Sequence, residues 1–198
     1  TLLAVGVVLG HGTPYKNVIC LGHVNDKFGK KMSKSKGNIV NPWEMAEKYG
    51  IDAVRWYFYT ATPPGEPKNF DEAELSKTLR KFFFTVYNSF VFYETVPGKN
   101  NSKSAHVLDK WIMARLNETV KETTEKLDDY NIGGAGHAIE FFVDDLSRWY
   151  IRRSRKRPEM KKTLGVVLLE LSKLLAPFTP FFAETLYQSV SAKGGSPS

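Results

Sequence analysis

Lys31-Met32-Ser33-Lys34-Ser35-Lys36-Gly37-Asn38 carries three lysines, two serines and a glycine in its first seven residues. Lysine ammoniums are compact, strongly hydrated point charges with rotatable donors. Serine hydroxyls donate hydrogen bonds, and a glycine lets the backbone approach a ligand closely. The set suits a loop that grips a polyphosphate. By composition alone a solvated basic loop is the favoured reading.

Upstream, Asn17 to Val24 (NVICLGHV) is a continuous apolar run of strand length, as expected of a parallel strand covered on both faces. Cys20 within it reads as inert packing. Asn25-Asp26-Lys27-Phe28-Gly29 is rich in turn formers. The basic loop therefore follows a buried strand and a reversal, and the carboxyl ends of strands are where α/β sheets collect ligands. Before the strand, residues 2–9 read as a short buried helix stopped by Gly10 and Gly12, then a turn at Thr13-Pro14-Tyr15-Lys16. His11 and His23, each beside glycine, read as structural or surface histidines and not as ligands.

Downstream, Asn41-Pro42 opens a helix as N-cap and N1, and Gly50 closes it. Asp52 opens the next helix, through Val54, Trp56, Tyr57 and Phe58. Thr62-Pro63-Pro64-Gly65-Glu66-Pro67 breaks it and marks a boundary. Everything beyond reads as helical. Asp71-Glu72-Ala73-Glu74 is a capping box. Leu75, Leu79, Phe82, Phe83, Val86, Phe90 and Tyr93 recur at helical spacing and read as core, against the alternative of a base-stacking surface. A polar loop from Pro97 to Ser104 leads to a helix over Val107–Asp129, with Leu108, Ile112, Leu116, Val120 and Leu127 on one side. Asn131 to Gly136 is read as the next connection, its glycines permitting a tight helix–helix approach.

The helix from about Ala135 to Arg157 turns Ile139, Phe142, Val143, Leu146 and Tyr150 to one side and Arg148, Arg152 and Arg155 to the other. Arg153, Lys156 and Arg157 lie close by. Two readings stand for these six cations. One is a solvated helix end whose dipole favours positive charge. The other is a contact surface for nucleic-acid phosphates, to which arginine bonds bidentately. Pro158 ends the run. A leucine-rich core helix (159–176) and a last helix after Thr179-Pro180 complete the chain, and no repeat of fixed period is apparent.

The totals agree. A chain of 198 residues, 42% hydrophobic and 13% aromatic, can bury a real core. Its net charge of +7 favours a polyanionic partner. One cysteine excludes an internal disulfide and argues against a cysteine-rich zinc site. No apolar run reaches the roughly 20 residues that span a bilayer, and no secretory signal is convincing. Opening inside an apolar segment without methionine and ending in Gly194-Gly195-Ser196-Pro197-Ser198, the chain reads as a piece of a longer protein.

The order KMSKS followed by KGN resembles the signature loop of the class I aminoacyl-tRNA synthetases, all five letters matching. The flanks YKNVICLGHV and GNIVNPWEMAEKYGIDAVRWY look like the end of that family's catalytic domain. DKWIMARLN, VDDLSRWYIRRSRKR and LAPFTPFFAETLYQ look like its helical anticodon-binding bundle. DKWIMARLN with WYIRRSRKR leans toward the isoleucyl branch, the valyl branch being the runner-up. The resemblance implies a mainly α chain: the end of a Rossmann-like α/β catalytic domain (1–62), then an α-helical anticodon-binding bundle (63–198). It implies ATP and Mg2+ as cofactors, and isoleucine and tRNA(Ile) as partners of a monomeric cytoplasmic ligase. Lys31 and Lys34 would neutralise the leaving pyrophosphate, Ser33 and Ser35 would assist, and Met32 would anchor the loop. Arg148, Arg152, Arg153, Arg155, Lys156 and Arg157 would meet tRNA. No metal site is expected within the chain. The family's HIGH motif is missing, and Gly10-His11-Gly12 is no substitute. The amino-acid pocket and proofreading insertion are missing too, so the chain alone is expected not to form an adenylate. A helical RNA-binding module without a catalytic parent, and a nucleotidyl transferase with a lysine-serine phosphate loop, are the rival readings.

Overall fold

A computed structural model describes residues 1–97 and 106–192. Most of the expected polar loop, Pro97 to Ser104, and the tail after Ala192 lie outside the described residues.

Helix α1 (Leu2–Val8) forms where the apolar run predicts it, but none of its residues is buried, and Val8 is 83% exposed. An apolar helix buries its surface only where another element covers it. Here the turn at Gly12 and Pro14 backs it, close enough that a Cβ on Gly6 would sit 2.9 Å from the Gly12 carbonyl oxygen.

The run Asn17–Val24 departs further from expectation. Only Val24–Asn25 forms a strand, β1, which pairs in parallel with β2 (Lys68–Asn69). Val18, Ile19 and Leu21 are exposed, and so is Cys20, which is not packed in a buried strand. A ladder is only as long as its partner edge. β2 stops after two residues because Phe70 turns into the core and Asp71 starts a helix.

The crossover between the two strands holds the basic loop, α2 (Pro42–Tyr49) and α3 (Ile51–Thr60). The Asn41 side chain accepts from the Trp43 N–H at 3.0 Å, Pro42 sits at N1, and Gly50 leaves α2 at φ 84°. Asp71 caps α4 (Glu72–Thr78), accepting from the Ala73 N–H at 2.9 Å. Only half of the expected capping box forms. The Asp71 N–H donates to the Tyr57 hydroxyl, while Glu74 pairs outward with Lys77.

The helix continues through a π-helical stretch, Leu79–Phe83, into α5 (Phe84–Thr95). Then come α6 (Val107–Asp128) and α7 (Ile132–Asp144), a second π-helical stretch (Asp145–Ile151) and α8 (Arg152–Ser154). α9 (Met160–Leu175) and α10 (Pro180–Ser191) close the chain. The α6–α7 connection is shorter than expected. The Asn131 N–H bonds to the Lys126 carbonyl and Tyr130 N–H to that of Leu127, and Asn131 caps α7. The glycines therefore lie inside α7, where they do permit a tight approach: a Cβ on Gly136 would meet Thr60 Cγ2 at 2.6 Å.

The core is one cluster. Trp56 of α3 is wholly buried, stacked on Phe82 with ring centroids 4.0 Å apart and edge-on to Phe178 at 5.3 Å. Leu75, Phe82, Phe83, Val86 and Tyr93 from the aromatic stripe are buried, with Leu79 and Phe90 packed beside them. Helix α3 thus shares its interior with the bundle, and the core does not stop at residue 62.

Candidate functional site

The basic loop is held from below. Asp26 Oδ1 accepts from the N–H groups of Phe28 (3.0 Å) and Lys30 (2.9 Å), closing the turn before the loop. Its other oxygen accepts from the Asn38 Nδ2 at 2.8 Å, and Asn38 Oδ1 accepts from the Ser33 N–H at 2.9 Å. Asn38 also donates to the Lys31 carbonyl at 3.3 Å. One carboxylate and one amide therefore clamp both ends of the loop. The Asn38 bond, with the two backbone N–H groups, holds the Asp26 carboxyl below its ordinary range.

Between the clamped ends, Lys34–Lys36 makes a single 3-10 turn, and Gly37 closes it at φ 64°, a left-handed position that favours glycine. Met32 packs against the core. Ser33 and Ser35 hydroxyls lie 3.3 Å apart. Lys31, Lys34 and Lys36 are exposed and form no ion pair among the described residues. Three uncompensated ammoniums around a braced turn make a ready anion seat. The clamp residues Asp26 and Asn38 escape the five-letter motif because they flank it. The signal for them is an Asp in a turn and an Asn just past a glycine.

The second cluster divides. Arg152, Arg155 and Lys156 are exposed. Arg148 is 69% exposed and reaches Asp144 at 3.3 Å, one turn back. Arg153 lies over the Trp149 ring, 3.7 Å from its centroid, and Trp111 flanks Trp149 at 6.4 Å. Trp149, 45% exposed, thus gives the basic face an aromatic surface that the charge pattern alone does not reveal.

Arg157 departs from the expected exposed face. It turns inward and bonds Asp109 through both terminal nitrogens (2.9 and 3.3 Å) and Ser154 Oγ at 2.7 Å. Asp109 is 3% exposed and also accepts from the Tyr150 hydroxyl at 2.6 Å. The reason is the turn past the end of α8. The Arg157 N–H bonds the Ser154 carbonyl at 2.8 Å, which folds Arg157 back beside Ser154 and Tyr150. Burial first, then the Asp109 bond, pushes the Tyr150 hydroxyl well above the ordinary tyrosine range.

Among the described residues no group of three or more His, Cys, Asp or Glu side chains could hold a metal ion, and no helix is long and apolar enough to cross a membrane.

Comparison with known proteins gives a consistent answer. Residues 1–71 match the family model "tRNA synthetases class I (I, L, M and V)", and residues 109–198 match "Anticodon-binding domain of tRNA ligase". The chain is 42% identical to an isoleucine–tRNA ligase of Deinococcus radiodurans over 99% of its own length and 20% of the relative's. It is 42% identical to that of Dehalococcoides mccartyi over 96% of this chain and 20% of the relative. The chain thus spans about one fifth of the length of the curated relatives it matches. Among solved structures, the LeuRS–tRNA–LeuAMS ternary complex of Agrobacterium radiobacter K84 shares the fold with a TM-score of 0.76 at 22% identity, covering 99% of this chain and 26% of that one. Mycobacterium tuberculosis methionyl-tRNA synthetase with methionyl-adenylate gives 0.70 at 21% identity, over 87% and 40%. With a braced KMSKS loop at one end and an anticodon-binding bundle at the other, the chain belongs to the class I aminoacyl-tRNA synthetases.

Proposed function

We propose that this chain supplies an isoleucine–tRNA ligase with its KMSKS loop and part of its tRNA(Ile)-binding surface. The observation that carries the reading is the loop itself: three unpaired lysines on a turn braced by Asp26 and Asn38. In the activation step an isoleucine carboxylate oxygen attacks the ATP α-phosphorus, and the bond to the bridging oxygen breaks to release pyrophosphate. Negative charge builds on that leaving group, and positioned ammoniums lower the barrier by meeting it. Lys31 and Lys34 fill this role, with the Ser33 and Ser35 hydroxyls as further donors. The isoleucyl group then passes to the tRNA 3′ end. Among the described residues no group of three or more His, Cys, Asp or Glu stands ready to hold Mg2+.

The bundle holds the tRNA in this reading. Arg148, Arg152, Arg153, Arg155 and Lys156 face the phosphate backbone, and Trp149 offers a ring on which an unpaired base can stack. Arg157 supports them from beneath. The division at residues 62/63 separates the ATP loop from the RNA surface, α3 being the joint. The free, exposed Cys20 accords with a reducing cytoplasm, and the chain is taken to act as a monomer.

The test is binding of this chain to tRNA(Ile) over a range of salt, beside the same tRNA with a replaced anticodon. Affinity that falls with salt and with the anticodon change supports the reading. Salt-sensitive binding without anticodon preference reduces the bundle to a basic surface, and no binding overturns the assignment of tRNA contact to these residues.

A further inference from the structure

Two side chains of helix α3 make polar contacts with the far end of the chain, all to main-chain groups. Asp52 Oδ2 accepts from the Phe182 N–H at 2.7 Å. One turn on, Arg55 donates from Nε to the Phe178 carbonyl at 2.9 Å and from a terminal nitrogen to the Pro177 carbonyl at 3.1 Å. The two carbonyls belong to the corner Pro177-Phe178-Thr179-Pro180 between α9 and α10, and the Phe182 N–H to the first turn of α10.

The charges fit the helix ends. The turn just past the C-terminus of α9 offers two carbonyls at the negative end of that helix, and Arg55 meets them. A helix N-terminus offers orphan N–H groups and partial positive charge, and Asp52 meets it. The local cap does not do this work. Thr179 stands at the N-cap of α10 but makes no capping bond, its hydroxyl donating instead to the Leu175 carbonyl at 3.3 Å. Asp52, 130 residues away in sequence, supplies the acceptor. The Phe178 ring packs between Trp56 at 5.3 Å and Tyr59 at 5.9 Å, and the Arg55 guanidinium lies over Tyr59.

The cost of this arrangement indicates its use. Asp52 is 7% exposed and one of its oxygens has no hydrogen-bond partner. A buried carboxylate so placed is a poor source of stability; it is directional instead. On its other side α3 joins the basic loop through Gly50 and α2, and Met32, Val40, Met45 and Tyr49 all pack on the common core.

We propose that Asp52 and Arg55 are positioning residues, a two-point latch by which α3 fixes the α9–α10 corner, and with it the bundle, relative to the KMSKS loop. They touch neither ATP nor RNA. The latch sets the distance between the loop and the bound tRNA, and its relevance to tRNA rests on the function proposed above.

The test uses the whole chain, with Cys20→Ser, and nitroxide labels at Glu47→Cys on α2 and Gln188→Cys on α10, both exposed. Pulsed electron resonance then reads the distance distribution between the two ends. The parent is expected to give one narrow peak. Asp52→Ala and Arg55→Lys, which offers one point donor in place of a fork, are expected to lose it for a broad distribution. Asp52→Asn keeps an oxygen to accept the Phe182 N–H and is expected to retain it. Narrow peaks in both Asp52→Ala and Arg55→Lys overturn the proposal. If Asp52→Ala does not fold, Arg55→Lys against Asp52→Asn decides alone. Affinity for tRNA(Ile) in folded variants is expected to stay within about twofold of the parent; a larger loss in Asp52→Asn, with its narrow peak kept, also overturns a purely positioning role. Should the parent itself fail to bind tRNA, the proposed function falls while the distances still judge the latch.

Discussion

Arginines that are neighbours in sequence have opposite physical situations here, and their substitutions should separate cleanly. Arg157→Gln takes the guanidinium away from buried Asp109, and breaking such a pair costs about 3–5 kcal/mol. Urea unfolding is expected to show that loss, while the salt dependence of tRNA binding stays as it was. Arg155→Gln should do the reverse, lowering the salt slope by about 1 with the unfolding midpoint unchanged. At Tyr130, φ is 58°, the left-handed position of the α6 C-terminus that glycine usually occupies. A side chain there costs about 1–2 kcal/mol, so Tyr130→Gly is expected to stabilise the chain by about 1 kcal/mol in the same unfolding experiment, despite the long Asn17 contact it loses. In the loop, Asn38→Ala removes the acceptor of the Ser33 N–H and one hydrogen bond to Asp26. Hydrogen exchange at the Ser33 amide should accelerate, with the amides of α9 unaffected. Equal protection in parent and variant would show that the clamp does not hold the loop.

At the scale of elements, local signals and tertiary partners contribute unequally. α2 is specified by its own ends: an Asn cap, a Pro at N1 and a Gly after the last turn. α10 is not, because its acceptor comes from α3. The aromatic stripe from Leu75 to Tyr93 announces a buried helix, though not its π-helical stretch at Leu79–Phe83, since the i→i+5 register leaves little trace in apolar spacing. The buried hydroxyls where these helices meet have a consequence at high pH. Burial raises the folded-state pKa of Tyr150 and of Tyr57, whereas the unfolded chain releases those protons near pH 10. Above that pH the unfolded state binds fewer protons, so stability falls as pH rises, by up to about 1.4 kcal/mol per unit for each tyrosine. Lys68, held below the ordinary lysine range by burial, opposes this only until the unfolded lysine also loses its proton, at about pH 10.5. The phenolate absorbance of the two tyrosines is expected to appear together with unfolding, and Tyr150→Phe should flatten the slope.

For the molecule as a whole, the braced loop and the bundle share one core, and no HIGH motif accompanies them in the sequence. The chain alone should show no isoleucine-dependent exchange of pyrophosphate into ATP. Measurable exchange would mean that the KMSKS loop finds its catalytic partners within these 198 residues.

The amino-acid sequence by itself determined the helical class, the helix starts at Asn41 and Asp71, the buried faces of the bundle, and the KMSKS loop with its family. These depend on residues within a turn or two of one another, where propensity, capping and periodicity act. The tertiary structure alone decided that NVICLGHV stays exposed and contributes one residue to a two-residue strand, because a strand's length is set by the edge it pairs with. It alone decided that Arg157 faces Asp109, that Asp26 and Asn38 brace the loop, and that Asp52 caps a helix 130 residues away. Each joins a charge or a hydrogen-bonding group to a partner that only chain folding brings within reach, and burial then makes the pairing obligatory.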